Sequence, residues 1–408
     1  MIELELDLLQ TVALALVVYF IGIQLRRRID WLDRLNIPAA VVGGLLFTGL
    51  AMALRSVVSV ELDTGAQQLL SVAFFTSIGM GASLALLRIG GLQVLIFLVF
   101  ATIFCFIQNF AGMAIATGFG EHPLFGVMAG SVTLVGGPAT GLAFAPLFEE
   151  AGLTGAGTLA LAAATIGIVC GGLAGGPAGT WLIKRHRLSS RPAEPGAAAS
   201  PLEILDDPEE APEDTIIVEV AREDTSLVRN IVILALAMLV GSVVSVWIGS
   251  TGVTLPAYIG AMLVASVLRN ADDVTHRLRI NQPAMEFIGN LALNVFLTTA
   301  LMNLRLWELA SVALPLLAIL VVQVVLVVLA AVTVSYLIMG RDYDSAVMSG
   351  GFIGFVLGTT ANAVANMRSL EARFGAAPRA FLVVPLVGAF FIDFTNALII
   401  TLFLNWLG

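Results

Sequence analysis

Two runs of small polar residues carry the types best suited to gripping a small charged solute. They are Val135-Gly136-Gly137-Pro138-Ala139-Thr140-Gly141 and Gly358-Thr359-Thr360-Ala361-Asn362. Glycine lets backbone approach a ligand closely and accepts positive φ. Where such a run breaks a helix in apolar surroundings, free N–H groups at a half-helix start attract carboxylates, and free C=O groups at a half-helix end hold Na⁺. Thr133 and Thr140 add hydroxyls to the first run, and Asn366 follows the second. Thr133, Gly136, Gly137, Thr140, Gly141, Thr359, Thr360, Asn362 and Asn366 are therefore candidate substrate-binding residues, and Gly358 is a candidate Na⁺ ligand. Isolated glycines more often serve close helix packing. Two such runs at equivalent positions favour binding.

Asp393 is the one acid well inside an apolar block, in Phe391-Ile392-Asp393-Phe394-Thr395-Asn396. An ionised group there is costly, which marks a functional site by default. Asp393 is a candidate Na⁺ ligand or proton carrier, with a hydrogen-bonded structural acid as the plainer role. Asn396 shares its helical face and joins it as a candidate Na⁺ ligand. Gln108, Asn109 and Gln323 are polar in mid-block, placed to support broken-helix backbone or to line a cavity. Asn290, Asn294, Thr298, Thr299, Thr76 and Ser77 also polarise apolar blocks, though hydroxyls in such helices often bond back to their own backbone.

The elements that must position these groups are membrane helices. Of 408 residues, 58% are hydrophobic and only 12% charged, against about 25% charged in soluble domains, and mean hydropathy is +0.97. A span needs roughly 20 apolar residues. Full spans are expected near 8–25, 37–54, 67–87, 92–117, 156–183, 229–250, 253–268, 283–303, 310–339 and 378–406. The start, MIELELD, lacks the basic region of a signal peptide, so the first block is expected to stay as a span. Net charge is −9. Much of the acidic excess sits in a Pro-rich stretch, 184–228, with the run Asp206-Asp207-Pro208-Glu209-Glu210, which reads as a solvated linker. No basic patch interleaved with aromatics suggests nucleic acid. Cys105 and Cys170 fall inside spans and read as small core residues. No cluster has metal-ligand spacing, and no nucleophile–base pair suggests an enzyme.

Segments 124–150 and 344–367 are too polar and too short for two crossings. They read as re-entrant hairpins, tolerated only where protein or a wet cavity covers the backbone. The chain also repeats. Ile37-Pro38 pairs with Leu255-Pro256, Val127-Met128-Ala129-Gly130 with Val347-Met348-Ser349-Gly350, and Gly167 with Gly388, all at a near-constant separation. The expected fold is an all-α polytopic membrane protein: two inverted repeats, 1–183 and 229–408, each of five spans plus one hairpin, joined by the linker. Of the 20 Lys and Arg, only Arg55 and Arg305 fall outside when both termini face the periplasm. The positive-inside rule therefore makes the linker cytoplasmic and explains Arg368, Arg373 and Arg379 beside the second hairpin.

The chain resembles the bacterial sodium/glutamate symporter family. Leu304-Arg305-Leu306-Trp307-Glu308-Leu309-Ala310-Ser311, Ala363-Val364-Ala365-Asn366-Met367, Arg373-Phe374-Gly375 and Phe381-Leu382-Val383-Val384-Pro385 through Asn396-Ala397-Leu398 carry the likeness, with Gln108-Asn109 and Gly136-Gly137. It implies Na⁺-coupled uptake of glutamate at the bacterial inner membrane, with Na⁺ as coupling ion and no organic cofactor. It also implies an architecture similar to citrate/sodium symporters: a homodimer with an elevator-like transport domain. The tips depart from the family pattern at Val135, Pro138, Thr359, Ala361 and Asn362. A Na⁺- or H⁺-coupled carrier of another small carboxylate or amino acid is the alternative.

Overall fold

The computed structural model describes residues 2–34, 37–54, 58–190, 224–250, 256–304 and 313–408. Most of the expected linker, Arg55, Leu255, Arg305 and the stretch after it through Ser311 lie outside the described residues. The chain is a helical, multi-pass membrane protein. In hydrocarbon every backbone N–H and C=O needs an internal partner, and a helix supplies all of them within one segment. Seven helical segments are long and apolar enough to cross: Leu8–Arg28, Gly65–Leu86, Gly91–Gly118, Ala156–His186, Leu227–Gly249, Gln282–Met302 and Ala313–Ile338. They coincide with seven of the expected spans.

The first half contains α1 (Leu8–Arg28), α2 (Asp30–Arg34), α3 (Ala39–Leu54), α4 (Gly65–Gly81), α5 (Leu84–Gly118), α6 (Pro123–Val127), α7 (Gly137–Glu150) and α8 (Ala156–His186). The second contains α9 (Asp224–Gly249), α10 (Ala257–Thr275), α11 (Gln282–Met302), α12 (Ala313–Ala330), α13 (Tyr336–Ile338), α14 (Tyr343–Leu357), α15 (Thr360–Phe374), α16 (Pro378–Leu386) and α17 (Ile392–Leu407). Wide π turns at Met128–Val132, Ala331–Ser335 and Val387–Phe391 link α6 toward α7, α12 to α13, and α16 to α17. The expected span 37–54 forms α3 with 16 residues, about 24 Å of helix. The expected span 253–268 forms α10, which runs on through Arg269, Asp272 and Asp273.

One element departs from an all-helical reading. β1 (Ile2–Leu6) pairs in parallel with β2 (Val58–Leu62), in register from Ile2 against Val58 to Leu6 against Leu62. The alternation Ile2-Glu3-Leu4-Glu5-Leu6 has the two-residue period of a strand. The ribbon touches α1 and α3, which pack on each other.

The helices sort into two groups by packing. α1, α3, α4, α9, α10 and α11 pack on one another; α5 through α8 and α12 through α17 form the second group. Among the described residues the larger contacts between groups are α7 on α11 and a few touches of α4 and α10 on α5, α17 and the preceding π turn, and Phe144 of α7 also meets Phe75 of α4 and Tyr258 of α10. The described crossing between groups is the α4–α5 junction. Its start is tied to α10, because Asn270 accepts from the Leu84 N–H at 2.8 Å and donates to the Ala82 carbonyl at 2.9 Å. α5 then kinks at Gly91 (φ 65, ψ −163), a conformation essentially restricted to glycine.

Candidate functional site

Both small-residue runs break helices where expected. In the first, the π turn ends at Val132, helix continues through Leu134, a turn covers Val135–Gly136, and α7 begins at Gly137 with φ +67. In the second, α14 ends at Leu357, Gly358 leaves the helix (φ −152, ψ −102), and Thr359 caps α15, its hydroxyl accepting from the Asn362 N–H at 3.4 Å. The second hairpin runs to Phe374 rather than ending at 367, because the apolar face of α15 continues through Met367 and Leu370. The two tips meet: a methyl group built on Gly137 would stand 3.9 Å from the Gly358 carbonyl oxygen. α8 passes both tips at Gly167. A Cβ there would lie 2.5 Å from the Leu357 carbonyl oxygen and 2.6 Å from Leu134 Cδ2. Two half-helix starts, α7 without a side-chain cap and α15 capped by Thr359, therefore converge on one place.

Broken helices leave backbone groups without helical partners, and buried amides must replace them. At the irregular Gly130, Asn109 Oδ1 accepts the Ser131 N–H at 2.9 Å, and Asn396 Nδ2 donates to the Ser131 carbonyl at 2.9 Å. Gln108, the preceding residue, points to the other hairpin and donates to the Val356 carbonyl at 3.4 Å. Gln323 Nε2 in turn donates to the Gln108 carbonyl at 2.7 Å. The dipeptide Gln108-Asn109 thus touches both hairpins from one point on α5. On the second hairpin, Asn362 donates to the Ile168 carbonyl at 2.7 Å, and Asn366 to the Gly171 carbonyl at 3.0 Å and Gly350 at 3.4 Å. Each hairpin is therefore tied to the last long helix of the other half, the first to α17 and the second to α8.

The other candidates have smaller roles in this network. Thr133 donates to the Met128 carbonyl at 2.7 Å. The Thr140 side chain covers Gly136, where an added Cβ would stand 2.5 Å from Thr140 Cβ. Gly141 lets α7 close on Ala160 of α8, and Thr360 lies over Gly388, 2.9 Å from an added Cβ. Thr76, Thr298 and Thr299 bond back to their own helices. Asp393 is half-buried in the first turn of α17, two residues before Thr395, whose hydroxyl accepts from Thr102 at 3.2 Å. Its carboxylate makes no hydrogen bond to either tip among the described residues.

The sequence reading did not single out Ser131, the Ile168 and Gly171 carbonyls, or the placement of Gly167. A signal for the last was present: Gly167, Gly171, Gly175 and Gly179 recur every fourth residue, one stripe of a helix. Against that stripe lie Leu357, Asn366 and Leu370. Several atoms around the tips carry no partner: Gln108 Oε1, Asn109 Nδ2, Ser131 Oγ, Gln323 Oε1, Asn362 Oδ1 and Asn396 Oδ1. All but one are oxygens. Buried neutral oxygens are expensive to leave bare, and they are the donor type of hard cations. Among the described residues no group of His, Cys, Asp and Glu has the makings of a conventional metal site.

Residues 4–376 match the family model described as sodium/glutamate symporter. The chain belongs to the sodium/glutamate symporter family. It is 40% identical over 405 residues to the sodium/glutamate symporter of Escherichia coli K12, covering 98% of both chains. It is 37% identical over 393 residues to that of Haemophilus influenzae, covering 95% of both. As a family member it is a transporter and not an enzyme. In this symporter the matched span includes both tips, and the aligned length extends past them through α17 to Asn396. Substituting Asn109→Ala in it should leave the Ser131 N–H buried without an acceptor, at about 1–3 kcal/mol. A lowered thermal midpoint in detergent, with uptake reduced and partly rescued in Asn109→Asp, checks this.

Proposed function

We propose that the chain carries glutamate together with Na⁺ across the bacterial inner membrane, by alternating access to a site between the two hairpin tips. The observation that carries this reading is the meeting of Gly137 and Gly358 beside a cluster of unpartnered buried oxygens. The names of the relatives supply the solute and the ion. The uncapped start of α7, the Thr359-capped start of α15, Thr140, Thr360 and Asn362 hold the substrate carboxylates. Asn396, Asp393 and tip carbonyls including Gly358 provide Na⁺ ligands. Gln108, Asn109 and Gln323 hold the hairpins in place. Na⁺ strengthens substrate binding by completing the tip geometry, and substrate strengthens Na⁺ binding by the same factor.

The repeat pairs support two inverted halves, 1–183 and 229–408, joined by the cytoplasmic linker 184–228, with both termini periplasmic. The packing groups fit this plan: each contributes matching elements from both halves, three helices per half in the first, and two spans with a hairpin per half in the second. The sparse contact between groups suits an elevator, the second group moving against the first in a homodimer. On this topology the inner hairpin is the open one. Gly137 through Ala145 of α7 are buried, and Phe144 packs edge-on against the stacked pair Phe75 and Tyr258, 6.5 Å and 5.1 Å between ring centroids. The equivalent arm, α15, exposes Ala361, Ala365 and Ser369. That asymmetry, read at Ala361 and Ala365 near the tip, is what an inward-open state requires.

The test is labelled glutamate uptake into proteoliposomes. Accumulation driven by an inward Na⁺ gradient and abolished when Na⁺ is equal on both sides is expected. Uptake that ignores Na⁺ but follows a pH gradient, or saturates only with another acid, moves the reading to a different coupling ion or solute.

A further inference from the structure

A groove of about 420 Å³ lies at the opposite end of α15 from its tip. Gly176, Pro177, Thr180 and Trp181 of α8 form one wall, and Ser369 and Arg373 of α15 the other. Both walls are built on four-residue spacings, 176 to 180, 177 to 181 and 369 to 373, so each presents one helical stripe to the gap. The polar lining is unspent: Arg373, Ser369 and Thr180 make no hydrogen bond or ion pair with another described residue. The Arg373 guanidinium lies 5.8 Å from the Phe374 ring centroid, which leaves its edge N–H groups directed elsewhere. Along the α8 wall runs an exposed apolar stripe, Leu173, Pro177 and Trp181, with Leu173 62% and Trp181 54% exposed. Below it α8 ends in Lys184, Arg185 and His186. An apolar stripe, a tryptophan and then a basic turn is the order met on passing from hydrocarbon through the headgroup layer to water.

We propose that this groove binds the phosphate headgroup of an anionic phospholipid. Arg373 grips two phosphate oxygens with its planar fork, and Ser369 and Thr180 donate hydroxyls to the same group. An acyl chain lies along Leu173 and Pro177, with Trp181 at the glycerol level. Charge complementarity selects this occupant: a guanidinium with no carboxylate partner among the described residues, near the basic end of α8, attracts an anionic lipid over a zwitterionic one. Because the walls belong to α8 and α15, the lipid bridges the last helix of the first half to the second arm of the second hairpin. This inference does not depend on which solute is carried.

The test is native mass spectrometry of the delipidated full chain titrated with phosphatidylglycerol, phosphatidylcholine or inorganic phosphate. Wild type should bind phosphatidylglycerol in preference to phosphatidylcholine. Arg373→Gln should weaken that binding by about fivefold, the worth of one interfacial cation, and Arg373→Lys should retain part of it. Ser369→Ala with Thr180→Val gives a second, uncharged variant that should lower affinity less. Equal phosphatidylglycerol binding in wild type and Arg373→Gln overturns the proposal. So does equal binding of both lipids. Displacement of the lipid by millimolar inorganic phosphate would show that the groove reads a free anion, and would overturn the lipid assignment.

Discussion

Gly167→Val should eliminate transport while leaving the helices inserted. A Cβ alone at this position lies 2.5 Å from the Leu357 carbonyl oxygen and 2.6 Å from Leu134 Cδ2. Leu134 can turn away, but a backbone carbonyl at the end of α14 cannot. Either α8 moves off the second hairpin, breaking the Asn362 bond to the neighbouring Ile168 carbonyl, or the tip shifts and the Gly137–Gly358 meeting opens. Overpacking of this kind costs about 1–3 kcal/mol, and the larger loss is of geometry, since misplacing a site by about 1 Å can cost a hundredfold in function. Glutamate uptake should fall to background. Gly172→Ala is the matched control, because an added Cβ there meets only Asn362 Nδ2 at 3.9 Å. If Gly167→Val transports like wild type, the tips are not the site. If Gly172→Ala is equally inactive, helix propensity rather than tip contact explains the loss.

Asp393→Asn should separate the ion from the solute. The carboxylate is half-buried and one turn from Asn396 on the same helix, and Asn396 holds Ser131 at the first tip. As a Na⁺ ligand, Asp393 contributes a full charge that an amide does not replace. Interactions with a charged partner are worth about 1.5–3 kcal/mol, which corresponds to roughly a ten- to hundredfold rise in the half-saturating Na⁺ concentration. Glutamate affinity at saturating Na⁺ should change far less. Uptake measured across a Na⁺ series in proteoliposomes reads both. An unchanged Na⁺ dependence with a lost pH dependence would instead make Asp393 a proton carrier.

Much of this architecture is legible in the residues because membrane helices announce themselves by length and apolarity. Seven spans fall where hydropathy puts them, and both helix breaks fall on the glycine and threonine runs. The β1–β2 ribbon was readable from Ile2-Glu3-Leu4-Glu5-Leu6, but its neighbour in space is some fifty residues on, and local pattern does not specify long-range pairing. α15 runs past its expected limit because its buried face continues through Met367 and Leu370, and α10 does so because a helix need not end where its apolar residues do. The network at the tips was only partly legible. Gln108, Asn109 and Gln323 stand out as polar residues in apolar blocks. Ser131 does not, because what matters there is its backbone, and no residue type signals a carbonyl such as that of Ile168 accepting a bond from the other half. Phe144 was equally silent, since an aromatic in an apolar run looks the same in a core and in a seat between two helix groups.

The central claim is that Na⁺ and glutamate meet at one site between the tips. Its most direct measurement is a thermal-shift titration of the purified protein with glutamate, aspartate and dicarboxylic acids, each with Na⁺ and with choline in its place. Ligand stabilisation follows concentration over dissociation constant, so the shift reports affinity. The account predicts that glutamate raises the melting temperature only when Na⁺ is present, and that Na⁺ raises it further when glutamate is present. A glutamate shift of equal size in choline, or a shift with another acid and none with glutamate, would contradict it.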